Sequence, residues 1–253
     1  MIKTVTIKAC GRPEILRKTL QSIVRDKGRI DWLFYVSVDW SRNQDATVKV
    51  INDVLSGRAN YHVLAGSCNI GYAKNHIKVL KHVFEEKQSD WNLDFDDDYI
   101  VMEGWSRLMD YYMETVMKDR PEIFSGHLQS QFPKSSIDAT LESAGKDLDW
   151  LGRRVRVYST FGNHGTLLRG SDWRGEYGTW ITDKIMTGSS DYEGLTLQWM
   201  QERGLLGVRP CLDHIKFQVN DGINFTRKMC LAYNRSMIYV DKAYNVDEYS
   251  ILE

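Results

Sequence analysis

The chain is predicted to be an α/β protein with a mostly parallel, doubly wound sheet flanked by helices. Two observations carry this. Strand-like and helix-like segments alternate through the first hundred residues, and a β-α-β-α order implies parallel strands joined by crossover helices. Leu33 to Val38 is a short apolar run, as expected of a strand covered on both faces.

Val5-Thr6-Ile7-Lys8-Ala9 reads as the first strand. Pro13 then opens a helix, where its fixed φ and missing N–H cost nothing, and Ile15/Leu16, Thr19/Leu20 and Ile23/Val24 recur at helical spacing. After the second strand, Asn43 to Leu55 is expected to be helical, with Gly57 as its stop. Tyr61 to Ala65 is a third strand, and Ala73, Ile77, Leu80 and Phe84 mark a helix. In the fourth strand Trp91, Leu93 and Phe95 alternate as in a half-buried strand. Trp105, Leu108/Met109, Tyr112 and Val116 form a further amphipathic helix. Beyond it the order loosens. Ile123-Phe124, Val155 to Tyr158 and Gly165 to Leu168 read as short strands, with a polar stretch from Gln129 to Asp149 between the first two. A helix from about Asp191 to Arg203, a strand near Leu206 to Val208 and a polar, aromatic tail follow.

The 253 residues, 42% of them hydrophobic, suit one large globular domain. A net charge of −1 argues against a broad nucleic-acid-binding field. No apolar run approaches the ~20 residues that span a membrane, and Met1 to Val5 reads directly into a strand, so no leader peptide is expected. Cys10, Cys68, Cys211 and Cys230 are scattered without a CxxC pair, which suits a reducing cytoplasm without structural zinc.

The segment Leu93-Asp94-Phe95-Asp96-Asp97-Asp98-Tyr99-Ile100 is the most informative in the chain. Two unit charges about 5 Å apart repel by roughly 3 kcal/mol at an effective dielectric near 20. Crowding carboxylates at the end of a buried strand therefore calls for a cation among them, unless the run is an incidental acidic turn. Carboxylate oxygens without Cys or clustered His select a hard cation, Mg2+ or Mn2+. An EF-hand is excluded, because its sixth and twelfth positions would be Tyr99 and Trp105 rather than Gly and Glu. In parallel sheets ligands bind at the carboxyl ends of the strands, where this run lies.

Asn69-Ile70-Gly71-Tyr72-Ala73-Lys74-Asn75 introduces the helix before that strand, either as a simple turn or as a backbone cradle for an anion or a base edge. No GxGxxG follows the first strand and no P-loop signature occurs. Together these segments resemble the GT-A family of nucleotide-sugar glycosyltransferases, over Val5 to about Gly104 and again from about Gly165 to Gly222. Gly11-Arg12-Pro13-Glu14-Ile15-Leu16 is similar to the family's opening "RPxxL" element, Ser37-Val38-Asp39 to its second-strand acid, and Asn69 to Asn75 to its "NxGxxxxRN" element. Asp96-Asp97-Asp98 resembles its DxD or EDD metal motif. Ser190-Asp191-Tyr192-Glu193 resembles the catalytic-base segment, and Arg209 to His214 the closing "P…H" segment.

The resemblance implies a single GT-A domain, residues 1–104 forming the nucleotide half and 105–253 the acceptor half and tail. It implies that Ala9, Gly11, Arg12, Asp39, Asn69, Gly71, Lys74, Asn75, Asp96 and Asp97 surround the nucleotide, Lys74 standing where the family usually has Arg. Asp98, Asp96 and His214 would hold Mn2+ or Mg2+, while Asp94 lies outside the motif. Asp191, with Glu193 as understudy, would deprotonate the acceptor and drive direct, inverting displacement. The donor would be a nucleotide sugar, UDP-linked by expectation.

Each of these residues has a plainer role open to it. Asp191 also suits a helix N-cap, His214 an ordinary surface histidine, and Trp173 and Trp180 either an acceptor wall or the core. Glycan, lipid, protein and hydroxymethylated phage DNA are the acceptors weighed. For DNA the candidate contacts are Arg154 and Arg156 with a tail bearing Arg227, Lys228, Tyr233, Arg235 and Tyr239. The setting expected is a bacterial cytoplasm, or a host's for a phage protein. Competing functions are a two-metal nuclease using Asp96, Asp98, Asp191 and Glu193, a sugar-nucleotide pyrophosphorylase, and an inactive nucleotide-binding module.

Overall fold

The computed structural model describes residues 1–130, 134–162, 164–218, 237–241 and 243–252. The first half is the predicted alternation: β1 (Lys3–Ala9), α1 (Pro13–Ile23), β2 (Trp32–Val38), α2 (Gln44–Leu55), β3 (Asn60–Ala65), α3 (Tyr72–Lys81) and β4 (Trp91–Asp96). Pro13 begins α1, and Gly57, at φ +69°, lies just past the end of α2. α3 continues into a wider π turn over His82–Glu86. A two-residue turn, Asp97-Asp98, then leads to β5 (Tyr99–Val101) and α4 (Trp105–Tyr111).

The second half holds β6 (Ile123–His127), α5 (Lys134–Ala144), α6 (Leu148–Gly152), β7 (Arg154–Tyr158) and β8 (Thr166–Arg169). It goes on through α7 (Gly170–Asp172), α8 (Gly178–Met186), α9 (Tyr192–Arg203), β9 (Leu206–Pro210), β10 (Ile215–Phe217) and β11 (Ser250–Ile251). α5 falls inside the stretch read only as polar. It buries a single residue, Ile137, so its helical period is nearly invisible in the sequence.

Among the described residues nine strands form one sheet in the order β11-β7-β9-β6-β8-β4-β1-β2-β3, and β5 and β10 pair separately. β3, β2, β1 and β4 are mutually parallel. β8 inserts antiparallel between β4 and β6. The architecture is the predicted α/β class with a mostly parallel sheet.

β4 departs from its expected half-buried character. Asn92 and Asp94 are as buried as Leu93 and Phe95, because both faces of the sheet are covered. The apolar face packs Val5, Ile7, Leu93 and Phe95 with Leu16, Leu20 and Ile23 of α1, each buried side chain contributing about 1.5–3 kcal/mol. The other face is a polar ladder in which Thr4, Thr6 and Lys8 of β1 stand opposite Asn92, Asp94 and Asp96 of β4. Buried polar groups must be paired, and here they pair with each other: the Thr6 hydroxyl donates to Asp94 at 2.6 Å, and Asn92 donates to Thr6 at 2.9 Å.

Candidate active site

The ladder ends at the carboxyl edge of the sheet, where β2, β1 and β4 lie side by side at about 4.8 Å spacing. From β2, the Asp39 backbone N–H donates to the Ala9 carbonyl at 2.9 Å. The buried Asp39 carboxylate accepts from the backbone N–H groups of Trp40 (3.0 Å), Ile70 (3.1 Å) and Gly71 (3.1 Å). It thus pins the Asn69 turn to the sheet. Asn69 adds a bond to the Trp40 carbonyl at 3.2 Å. Gly71 has φ +83°, and a Cβ there would meet nothing within 4 Å, so the turn opens outward. Asn75 is buried and accepts from the Ser37 hydroxyl at 2.6 Å, tying α3 to β2, whereas Lys74 is exposed.

Between Asp39 and the acidic turn lies Cys10-Gly11-Arg12. Cys10 is close enough to both that Asp39 and Asp97, after burial, push its thiol up. Gly11, at φ +66°, carries the chain into α1, and its carbonyl accepts from Asn43 at 3.1 Å. Arg12 reaches across to ion-pair with Asp97 and, at 3.4 Å, with Asp98.

Asp96 is the meeting point of the ladder and the turn. One oxygen lies 3.2 Å from the Lys8 ammonium. The other accepts from the Tyr99 hydroxyl at 3.1 Å and from Tyr72 at 3.5 Å. Behind it, Asp94 is ion-paired with Lys8 and lies 3.0 Å from Nε2 of His76. Burial alone would raise the Asp94 carboxyl, but His76 and Lys8 hold it well below the usual range. Burial likewise opposes the Lys8 charge, and Asp94 and Asp96 outweigh it. Burial lowers His76, and Asp94 beside its Nε2 pulls the other way. Sequence reasoning missed Lys8, His76 and Tyr99, and also His164, whose Nδ1 sits 2.6 Å from the Tyr99 hydroxyl.

The start of α9 closes one side. Tyr192 packs tilted against His76, with ring centroids 4.0 Å apart. Asp191 caps the helix, accepting from the Gly194 N–H at 2.8 Å. Glu193 is exposed, and its charge reaches Tyr72, the residue bonded to Asp96.

His214 is not brought to Asp98. The Met102 N–H donates to the His214 carbonyl, while the Gln218 N–H donates to the Asp98 carbonyl. The histidine therefore lies four residues, about 13 Å, further along the β5–β10 ribbon. It is fully buried, and neither ring nitrogen has a hydrogen-bond partner among the described residues. Burial lowers it to about 3. An unfolded histidine titrates near 6.5, so between those values only the unfolded chain takes up the proton and stability falls as pH falls. At pH 4 the loss from His214 is about 3 kcal/mol. His214→Leu is expected to flatten the acid limb of the melting temperature between pH 6.5 and 4, read by circular dichroism. An unchanged limb would leave the acid loss to the other buried histidines.

Trp173 belongs to the core, stacked on Phe84 at 5.5 Å, and Trp180 packs against Trp199 at 5.1 Å. Arg154 and Arg156 lie on β7, four strands and about 19 Å from β4. Arg227, Lys228, Tyr233 and Arg235 lie outside the described residues. Tyr239 is described, and bridges to Asp213.

Four carboxylates, Asp94, Asp96, Asp97 and Asp98, meet two full cations, Lys8 and Arg12. With all four ionised, that leaves two negative charges uncompensated. The strain registers at Asp97, pushed up to about 7 by burial, with one buried oxygen unpartnered among the described residues. The donor set is hard oxygen, with an excess of negative charge. No group of three or more His, Cys, Asp or Glu suited to a metal occurs among the described residues. Mg2+ in nucleotide sites is commonly held by only one or two carboxylates, with substrate phosphates and water completing the shell. One or two of these carboxylates could hold such a cation only with a ligand or water completing its shell.

No family model matches the chain, and no curated relative matches it. Among solved structures it is similar to a mannosyltransferase from Pyrobaculum calidifontis determined with GDP-Man and Mn2+ (10% identity, TM-score 0.47), covering 68% of this chain and 45% of that one. It is also similar to S. aureus TarS (11%, 0.45; 69% and 29%) and to a Leptospira borgpetersenii cytidylyltransferase (11%, 0.46; 81% and 73%). The chain thus spans less than half the length of the first two. At this level the likeness is one of α/β outline and nothing finer.

Proposed function

We propose that the chain is a divalent-cation-dependent glycosyltransferase that moves a sugar from a nucleotide sugar to an acceptor hydroxyl, with inversion. One observation carries this. The Asp39-pinned turn, the Cys10 to Arg12 loop and the acidic turn stand in a row at the carboxyl ends of β2, β1 and β4. That row offers a nucleotide end and a diphosphate end in the place where open α/β sheets bind ligands. UDP is the nucleotide proposed. The whole chain is taken as one GT-A domain acting in a cytoplasm.

In this reading Asp39, Asn69 and Gly71 present the turn's backbone to the base and ribose. Asp98, with Asp96 beside it, would hold Mn2+ or Mg2+, which would neutralise the departing diphosphate. Lys8, Tyr72 and Tyr99 fix the Asp96 carboxylate in orientation. Glu193 or Asp191 takes the proton from the acceptor hydroxyl as it attacks the anomeric carbon from the face opposite the leaving diphosphate. A glycan or lipid acceptor is favoured over DNA, since the Arg154/Arg156 strip lies far along the sheet.

The test is a donor panel of UDP-, GDP-, CDP- and dTDP-sugars incubated with Mn2+. Slow, chelator-sensitive release of one nucleoside diphosphate is expected. Nucleotide binding without any hydrolysis would sink the enzymatic reading.

The base is separable from the cap. Asn also caps helices well, so Asp191→Asn is expected to keep the fold. Loss of a positioned base costs ~10²- to 10⁴-fold in rate. Glu193→Gln is the variant expected to show that loss, with nucleotide-plus-Mn2+ affinity unchanged by calorimetry. If Asp191→Asn loses transfer and Glu193→Gln keeps it, the roles are reversed.

A further inference from the structure

Arg12 is bonded to Asp98, one of the two carboxylates assigned above to a cation, and to its neighbour Asp97. Its guanidinium pairs with Asp97 and, at 3.4 Å, with Asp98. The backbone beneath it is fixed. Gly11 before it takes φ +66°, and the Arg12 carbonyl accepts the first bond of α1, from Leu16 at 3.0 Å. The side chain is not fixed in the same way, with 37% of it exposed against 3% for Asp97. Lys8 is different: its side chain is 3% exposed and wedged between Asp94 and Asp96. One cation of the cluster is therefore buried in the sheet, and the other rests on it from the open side.

A guanidinium over Asp98 and a divalent ion on Asp98 repel strongly at such separations. We propose that Arg12 is a displaceable counter-ion: in the donor-free protein it neutralises Asp97 and Asp98, and on arrival of the cation and donor it swings from them to the diphosphate. Planar, five-donor guanidinium suits both partners, carboxylate and phosphate. The exchange orders the binding. The cation alone must evict Arg12 into water, whereas a cation arriving with a diphosphate gives the evicted arginine a new partner.

This inference rests on the cation-and-diphosphate reading of the site. Its test needs no turnover. Mn2+ affinity is measured by electron paramagnetic resonance of the free ion, with and without UDP, for the parent, Arg12→Gln and Arg12→Lys. In the parent, UDP is expected to tighten Mn2+ binding at least ~10-fold. In Arg12→Gln, Mn2+ alone is expected to bind ~10-fold tighter than in the parent, while UDP in saturating Mn2+ binds ~10-fold weaker. The two shifts are opposite in sign, which general damage to the site cannot produce. Arg12→Lys keeps the charge and is expected to fall between, which covers the case of a poorly folded Gln variant. Equal or weaker Mn2+ binding in both variants overturns the exchange while leaving the site reading intact. No Mn2+ binding by the parent, even with UDP, overturns both.

Discussion

Asp98→Asn is expected to leave a folded protein that releases no measurable nucleoside diphosphate from its donor. Asp98 sits at the turn after β4 with its side chain 21% exposed, open to a ligand, whereas Asp97 beside it is nearly sealed. A cation that stabilises a leaving diphosphate is worth several kcal/mol of barrier. At 1.36 kcal/mol per decade, its loss removes roughly 10³-fold or more in rate. The substitution is nearly isosteric and leaves Arg12 its partner Asp97, so the melting temperature should move little. Chromatography of released nucleotide, with and without Mn2+, checks it. Metal-dependent turnover at the parent rate would remove Asp98 from the site.

Asp94→Ala is expected to have the largest effect on stability. It strips a buried lysine of its closest partner and leaves Lys8 with Asp96 alone. Breaking a buried pair by removing one member costs about 3–5 kcal/mol, or roughly 10 °C in a protein of this size. The sign with pH is fixed by the depressed Asp94 carboxyl. Its stabilising effect is complete above the unfolded value near 3.9 and is lost as pH falls below it. The gap between parent and variant should therefore be full at pH 7 and shrink in acid. The double variant Lys8→Met/Asp94→Leu should recover most of the loss, since apolar residues of similar volume often replace buried pairs at little cost. Calorimetric melting decides. A loss below about 1 kcal/mol in Asp94→Ala would mean Lys8 is held by Asp96 and the ladder without Asp94.

The local parts of this molecule were legible in its residues. Pro13 and the Leu16/Leu20/Ile23 stripe specify α1, and the run from Leu33 to Val38 specifies β2, because apolar period and helix-start chemistry are short-range signals. α5 escaped because only Ile137 of its face is buried. The site's second layer escaped for a different reason. Lys8 and Asp94 are separated by 86 residues, and only the register of β1 on β4 joins them. A trace of it was present. Thr4, Thr6 and Lys8 alternate on one strand as Asn92, Asp94 and Asp96 alternate on another, a matched polar period that two buried strands would carry only if they faced each other. Crowded carboxylates call for positive charge, and Lys8 and Arg12 supply two cations of it from within the chain.

The place of β4 in the sheet has a consequence for how the protein opens. On one side it borders β1, from the first ten residues, and on the other β8, from residues 166–169. Neither neighbour can leave without exposing Leu93, Phe95 and the charged ladder together. Amide protons along Trp91–Asp96 should thus exchange only through global unfolding, and rank among the slowest in native-state hydrogen exchange. The free edge at β3 should exchange early. A fragment ending near residue 104 would keep the nucleotide-side loops yet present β4 as a raw, partly apolar edge, a surface that recruits other strands. The first hundred residues contain the chemistry proposed for the donor, but the strand that covers their β4 edge is made much later in the chain.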